Sequence, residues 1–466
     1  MKNITLVLFA VFTTLTMYGQ DITGQWNGIL KVQGTQLRVV FNINKTGNCY
    51  SSTMDSPDQG AKGIPVTSTT FENSILKIEI TNAAIQYEGT LDKDNAFIGT
   101  FKQGSQEFPM SLSRKAIEKE AVKRPQEPTK PYPYYSEDVT FQNTKANISL
   151  SGTLTLPKKE GYFPVVILIT GSGAQNRDEE LLGHKPFLVI SDYLTKNGIA
   201  VLRYDDRGTA ESTGEFSTAT SADFATDVES AIAYLKTRKE INKKKIGLIG
   251  HSEGGIIAPM VASTSKDVAF IILLAGTGIQ GDQLLLSQQK SIGKVSGVSD
   301  KDLHNNELTN KKAFDIVNKS KSLEQLNIDL TNYIKQTLID NPDAEKPEGM
   351  SDDDFVKLQV KQIANPWMQY FIKYNPTPTL EKVKCPVLAL NGEKDLQVPA
   401  KINLEAIEKA LEKGGNKNVT TKELPNLNHL FQECETGSPS EYETIEQTFS
   451  PIALSEISNW ILKQIK

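Results

Sequence analysis

"KIGLIGHSEGGIIAPMVAS" (Lys245–Ser263) joins a short apolar run to a run of small and apolar residues through a glycine-rich turn. The first part, "KIGLIG", reads as a strand buried on both faces, and "GGIIAPMVAS" reads as a helix. Between them Gly250-His251-Ser252-Glu253-Gly254 fits G-x-S-x-G. A chain that leaves a strand and enters a helix in so few residues needs glycine where a Cβ would collide. The Ser at the apex is then held in a strained conformation, its hydroxyl exposed at the upper edge of the sheet. The bare pattern recurs by chance. The strand before it and the helix after it are what single out Ser252 as a candidate nucleophile.

The flanking chain repeats this alternation from about residue 136 onward. "DVTFQN" and "NISLSGTLTLP" suggest a first hairpin. "FPVVILITGSG" (Phe163–Gly173) is a fully apolar strand, and "PFLVISDYLTKNG" (Pro186–Gly198) is an amphipathic helix closing on Gly. Strand "IAVLRYDDRG", helix "SADFATDVESAIAYLKTR" and strand "VAFIILLAG" continue the series. Near-continuous apolar strands separated by helices imply an α/β, doubly wound, mostly parallel sheet. Residues 279–376 break the pattern: they are polar, largely helical and contain no core strand. They read as a helical cap inserted over the carboxyl edge of the sheet, or as a solvated excursion. Strand character returns in "CPVLALNGEKD" and "NVTTKELPN", and "SPIALSEISNWILKQI" is a terminal helix.

Residues 21–115 read differently. Short alternating segments ("GQWNGILKV", "LRVVFNINK", "STTFENSILKIEI", "IQYEGTLD", "AFIGTFKQG") are divided by Gly, Asn and Asp turns. They predict a small antiparallel β domain, sandwich- or barrel-like, with no nucleophile and base of its own. Residues 116–135, rich in charge and Pro, read as an extended linker before a domain spanning 136–466. Residues 1–20 carry Lys2, then an uncharged apolar stretch, then Gly19 and Gln20. That is the pattern of a signal peptide, and it predicts a secreted or periplasmic protein with no stable membrane anchor.

Of 466 residues, 38% are hydrophobic and 23% charged, and 51 Lys and Arg against 56 Asp and Glu leave a net charge of −5. That mild acidity gives no reason to expect nucleic acid as a partner. The three cysteines, Cys49, Cys385 and Cys434, are too few and scattered for a disulfide framework. No residues show metal-ligand spacing, so no metal and no organic cofactor is expected in the chemistry. A homo-oligomer is compatible with the chain, and its length and composition do not decide the question.

A Ser hydroxyl needs a base, and the chain has four His. His251 lies inside the turn, where its ring would point away from the Ser hydroxyl. His304 sits in the polar insertion. His184 follows the first long strand and suits a structural role or substrate contact equally. His429, in "LPNLNHLF", follows the last strand and is the candidate base. Asp395, in "LALNGEKDLQVP" after a buried strand, is the candidate acid that orients it, with Glu393 as competitor. The order Ser, Asp, His follows the strand order, with the cap filling the long first gap. The backbone N–H of Glu253, at a helix N-terminus, is a candidate oxyanion donor. A second would come from Ser172 or Gly173 in "TGSG". In "YDDRG", Arg207 suits a local pair bracing the turn. Arg177 and Asp178 suit an internal ion pair or recognition of a charged substrate group. Glu179, Glu180 and Asp352–Asp354 suit a solvated surface or, in a peptidase, an amine site.

These segments, with "GSGAQNRDEELLGHKPF", "GIAVLRYDDRGTAEST", "GHSEGG", "NGEKDLQVP" and "NHLFQ", resemble a secreted bacterial α/β-hydrolase family, the serine carboxylesterase and serine aminopeptidase-like group. The resemblance is to the two-domain form with a β-rich N-terminal module, and it covers about residues 136–466. It implies Ser252, Asp395 and His429 as triad, with the Gly171–Gly173 loop and Glu253 as oxyanion donors. Such proteins divide between short-acyl esters and peptide-like substrates. The expectation is a serine hydrolase acting on a small-molecule ester, with a peptidase as the alternative. One departure is Thr170-Gly171, where many of the family have His-Gly, and it leaves the second donor open.

Overall fold

A computed structural model describes residues 21–466 apart from 33–34, 48, 60, 104–105, 118–121, 342–345 and 347–349. The expected signal peptide, residues 1–20, lies outside the described residues. The chain divides into two compact units, an N-terminal one and one built from Ala121–Asp343 and Asp352–Lys466.

The N-terminal unit holds nine strands among its described residues: β1 (Gly24–Val32), β2 (Thr35–Thr46), β3 (Cys49–Ser56), β4 (Ala61–Pro65), β5 (Ser68–Glu72), β6 (Ile75–Ile80), β7 (Ile85–Leu91), β8 (Phe97–Gln103) and β9 (Gln106–Leu112). They form antiparallel meanders, β1 to β4 and β5 to β9. Asn27 and Ser113 exchange backbone hydrogen bonds of 2.8 and 2.9 Å, returning the end of the second sheet to β1. Trp26, Phe41, Tyr87, Phe97 and Phe101 fill the interior. "STTFENSILKIEI", read above as one segment, is two strands, because Asn73 and Ser74 turn the chain at φ +50° and +64°. Strand β3 escapes a hydropathy reading because two of its inward residues are Ser52 and Ser56. A hydrogen bond of 2.6 Å to Thr69 satisfies the Ser52 hydroxyl inside.

The larger unit carries an eight-stranded sheet in the order β10-β11-β13-β12-β14-β15-β16-β17. Strands β10 (Tyr135–Asn143) and β11 (Ile148–Leu156) form the expected hairpin, and β11 pairs antiparallel with β13. The strands β12 (Phe163–Ile169), β13 (Ala200–Tyr204), β14 (Ile241–His251), β15 (Val268–Leu274), β16 (Val387–Gly392) and β17 (Val419–Leu424) are parallel to one another. Helices α1 (Pro186–Lys196), α2 (Ser221–Leu235) and α3 (Gly254–Ala262) follow the early strands. Two apolar layers, one on each face of the sheet, account for the runs of Val, Ile and Leu. This is the α/β-hydrolase architecture. Between β15 and β16 lie α4 (Gly281–Val295), α5 (Asp300–Lys319), α6 (Leu323–Asp340), α7 (Asp352–Ile363), α8 (Pro366–Lys373) and α9 (Thr377–Leu380). They have an apolar cluster of their own around Phe314, Val317, Leu326 and Ile372. The chain ends through α10 (Ala400–Lys413), β17 and α11 (Pro451–Gln464).

The middle of the Pro-rich stretch is not a free spacer. The Arg124 guanidinium donates to the carbonyls of Gly183, Leu182, Glu443 and Ile445. Gln126 bonds the backbone of Thr448 and Phe449. Loop carbonyls without strand partners need donors, and these two side chains supply them.

Candidate active site

Ser252 sits at the sheet edge with φ +51°, and its N–H is held by the Leu274 carbonyl at 2.8 Å. The glycines around it are obligatory. A Cβ on Gly250 would lie 1.9 Å from the Gly254 carbonyl oxygen, and one on Gly254 would lie 2.3 Å from that of Ile169. These contacts, not flexibility, explain the turn.

The structure brings Ser252, Asp395 and His429 together. Ser252 and His429 line one cavity. His429 Nδ1 donates to Asp395 Oδ2 at 2.8 Å, which leaves Nε2 free to accept a proton. The other carboxylate oxygen, Asp395 Oδ1, accepts N–H bonds from Gln397 and Val398, both 2.8 Å. The acid and base loops touch through backbone: a Cβ on Gly392 would lie 2.2 Å from the Leu427 carbonyl oxygen. Glu393, the sequence competitor, instead accepts from the Asn426 N–H at 2.9 Å.

The loop after β12 approaches the Ser closely, since a Cβ on Gly171 would lie 3.3 Å from that of Ser252. Its Gly171 N–H is taken by Glu179 Oε1 at 2.7 Å and its Gln175 N–H by Asp206 Oδ2 at 2.9 Å. Among the described residues, the N–H groups of Ser172, Gly173 and Glu253 have no internal acceptor. Asp206 also accepts from Thr170 at 2.7 Å, so one carboxylate ties both ends of this loop. Burial, against those two hydrogen bonds and with Glu253 and Glu179 adding negative charge, pushes its pKa up to about 8. Asp205 holds Arg177 at 2.6 Å, and Arg207 pairs with Asp227 on α2 at 2.8 Å. Arg207 therefore braces α2 rather than the serine turn.

His251, whose ring points away from the Ser252 hydroxyl, has two partners of its own. Its Nδ1 donates to Glu179 Oε1 and its Nε2 to the His429 carbonyl, both at 3.0 Å. A carbonyl and a carboxylate can only accept, so both ring nitrogens carry protons. Burial pulls the His251 pKa down, but the charge and hydrogen bond of Glu179 and the His429 carbonyl outweigh it, and the net shift is upward. Glu179, an amine-site candidate in the sequence, is thus occupied internally. A His with a raised folded pKa adds stability below its unfolded value, and that stability disappears as pH rises through the folded value. His251→Gln is therefore expected to melt below wild type by roughly 1–3 kcal/mol in acid, the gap narrowing above pH ~6.5. Thermal melts of both proteins from pH 5.5 to 9 check this, and a pH-independent gap would count against it.

His184 is buried. Its Nε2 donates to the Tyr442 carbonyl at 2.8 Å and its Nδ1 meets Thr448 at 3.1 Å, although it also edges the cavity. His304 is exposed on α5, and Asp352–Asp354 lie exposed at the start of α7. Sequence reading assigned no task to the Glu253 carboxylate. Its Oε1 accepts from Ser221 at 2.6 Å and from the Trp367 indole of α8 at 2.8 Å. Burial, against those two hydrogen bonds, raises its pKa. Nothing in the sequence signals the Trp367 contact, which joins residues far apart in the chain.

The family model described as X-Pro dipeptidyl-peptidase (S15 family) matches residues 145–419. Esterase EstD of Thermotoga maritima is 26% identical over 336 residues, 71% of this chain and 70% of the relative. Among solved structures, the esterase Pf2001 of Pyrococcus furiosus is 16% identical with a TM-score of 0.43, covering 75% of this chain and all of the other. The α/β-hydrolase GrgF of Penicillium sp. sh18 is 18% identical with a TM-score of 0.39, covering 64% and 91%.

Proposed function

The chain belongs to the X-Pro dipeptidyl-peptidase (S15) family and is an α/β-hydrolase, and on that footing we propose that it is a serine carboxylesterase cleaving short-acyl esters. The observation that carries the reading is Ser252, on its strained turn, sharing a cavity with a His429 already bonded to Asp395.

In this mechanism Ser252 Oγ attacks the ester carbonyl while His429 Nε2 takes its proton. The N–H groups of Glu253 and of Ser172 or Gly173 hold the oxyanion, at roughly 3 kcal/mol per donor. His429 then protonates the departing alcohol. Water, deprotonated by His429, attacks the acyl-enzyme and releases the acid and free Ser252. The protonated His251 pairs with Glu179 and orients the backbone of His429.

Two features favour an ester over a peptide. Esterase EstD, a relative over most of both chains, is named for ester hydrolysis. A dipeptidyl-peptidase must also hold the substrate's terminal ammonium, and Glu179 and Glu253, the carboxylates among the described residues lining the space at Ser252, are both engaged internally. The proposal includes export from the cytoplasm, on the strength of the N-terminal apolar stretch. We expect kcat/KM for p-nitrophenyl acetate or butyrate to exceed that for aminoacyl and X-Pro anilides by at least tenfold. Faster anilide hydrolysis would reverse the assignment in favour of the peptidase.

A further inference from the structure

Two small cavities meet at Ser252 and share Ser172 and Gln397. One, about 80 Å³, is lined by Gly171, Gln175 and His429. The other, about 70 Å³, is lined by Glu253, Ile256, Leu284, Trp367 and Phe371. Their chemistry differs, and so must their occupants. His429 has to deliver a proton to the departing oxygen, so the alcohol belongs on the His429 side. The acyl chain then runs past the Glu253 N–H into the second cavity, whose Ile256, Leu284 and Phe371 form one apolar cluster with Val398.

One wall of that acyl cavity is Trp367, stacked on Phe371 with ring centroids 5.1 Å apart. The same Trp donates its indole N–H to the Glu253 carboxylate at 2.8 Å, which Ser221 also holds. The wall is therefore tied to the residue beside the nucleophile. An engineered apolar cavity of about 150 Å³ holds a benzene, so a cavity of about 70 Å³ takes roughly half as many carbon atoms.

We infer that Trp367, clamped by the Glu253 carboxylate, sets the acyl-length limit of the enzyme and admits acetate to butyrate but not longer chains. The inference rests on the esterase reading. The test is a p-nitrophenyl ester series from acetate to octanoate on the full chain, with Trp367→Ala, Trp367→Leu and Trp367→Phe. The octanoate-to-acetate ratio of kcat/KM is expected to rise at least tenfold in Trp367→Ala. It should rise by a smaller factor in Trp367→Phe, which keeps a ring but lacks the donor. Trp367→Leu carries the same test if the Ala variant does not fold. Preference among acetate esters of different alcohols should stay as in wild type. An unmoved acyl ratio, or a change confined to the alcohol side, would overturn the wall. A rise in Trp367→Ala with none in Trp367→Phe would overturn the clamp. If wild type hydrolyses none of these esters, the esterase reading itself fails.

Discussion

Ser252→Ala is expected to lower kcat for p-nitrophenyl acetate by roughly 10⁴- to 10⁶-fold and to abolish labelling by a fluorophosphonate probe. The residue carries the only hydroxyl in the turn that the glycine contacts place at the mouth of both cavities. Ala keeps the Cβ that the φ of +51° already tolerates, so the fold should not suffer, and the melting temperature should stay within a few degrees of wild type. Loss of activity with an unchanged melt separates a missing nucleophile from a damaged structure. Retained turnover, or a probe still bound covalently elsewhere, would remove Ser252 from the mechanism.

Asp395→Asn should cost nearly as much, roughly 10⁴-fold in kcat, without breaking the loop. The reason lies in the second oxygen. Two N–H groups, of Gln397 and Val398, point at Asp395 Oδ1, so the Asn amide must put its oxygen there and its NH₂ toward His429. A donor facing Nδ1 forces that nitrogen to accept and moves the ring proton to Nε2, the atom that must take the proton of Ser252. The imidazole would stay in position in the wrong tautomer. Kinetics on esters, with KM little changed while kcat collapses, would support this. A variant retaining more than a tenth of wild-type kcat would mean that His429 needs no orienting carboxylate.

The inner strands of the parallel sheet were legible because they are buried on both faces, which leaves mostly Val, Ile, Leu and Ala in β12, β15 and β16. The antiparallel N-terminal unit was half legible. Strands β3 and β9 carry Ser, Thr, Gln and Pro, and their pairing comes from neighbouring strands rather than from their own hydropathy. Ser252, Asp395 and His429 could be named as candidates because each follows the end of a strand in a fixed chain order. The partners of His251 were hidden for a related reason. Adjacency to Ser252 says where its Cα lies, but its partners, Glu179 and the His429 carbonyl, arrive from two distant loops.

Local sequence settled which residues could turn, stack or ionise: the glycines that permit the serine turn, the apolar runs that become the sheet, and the lone His and Asp after its last strands. Tertiary structure decided what they face. Only the packed chain sets Trp367 of α8 against Glu253, ties both ends of the loop after β12 to Asp206 and closes the Asp395 loop on the His429 loop at Gly392. Hydropathy and turn propensity act over a few residues and leave a trace in each segment. A hydrogen bond between side chains more than a hundred residues apart leaves none in either segment. The opening turn was therefore recognisable from "GHSEGG", while the shape of the space beside it was not.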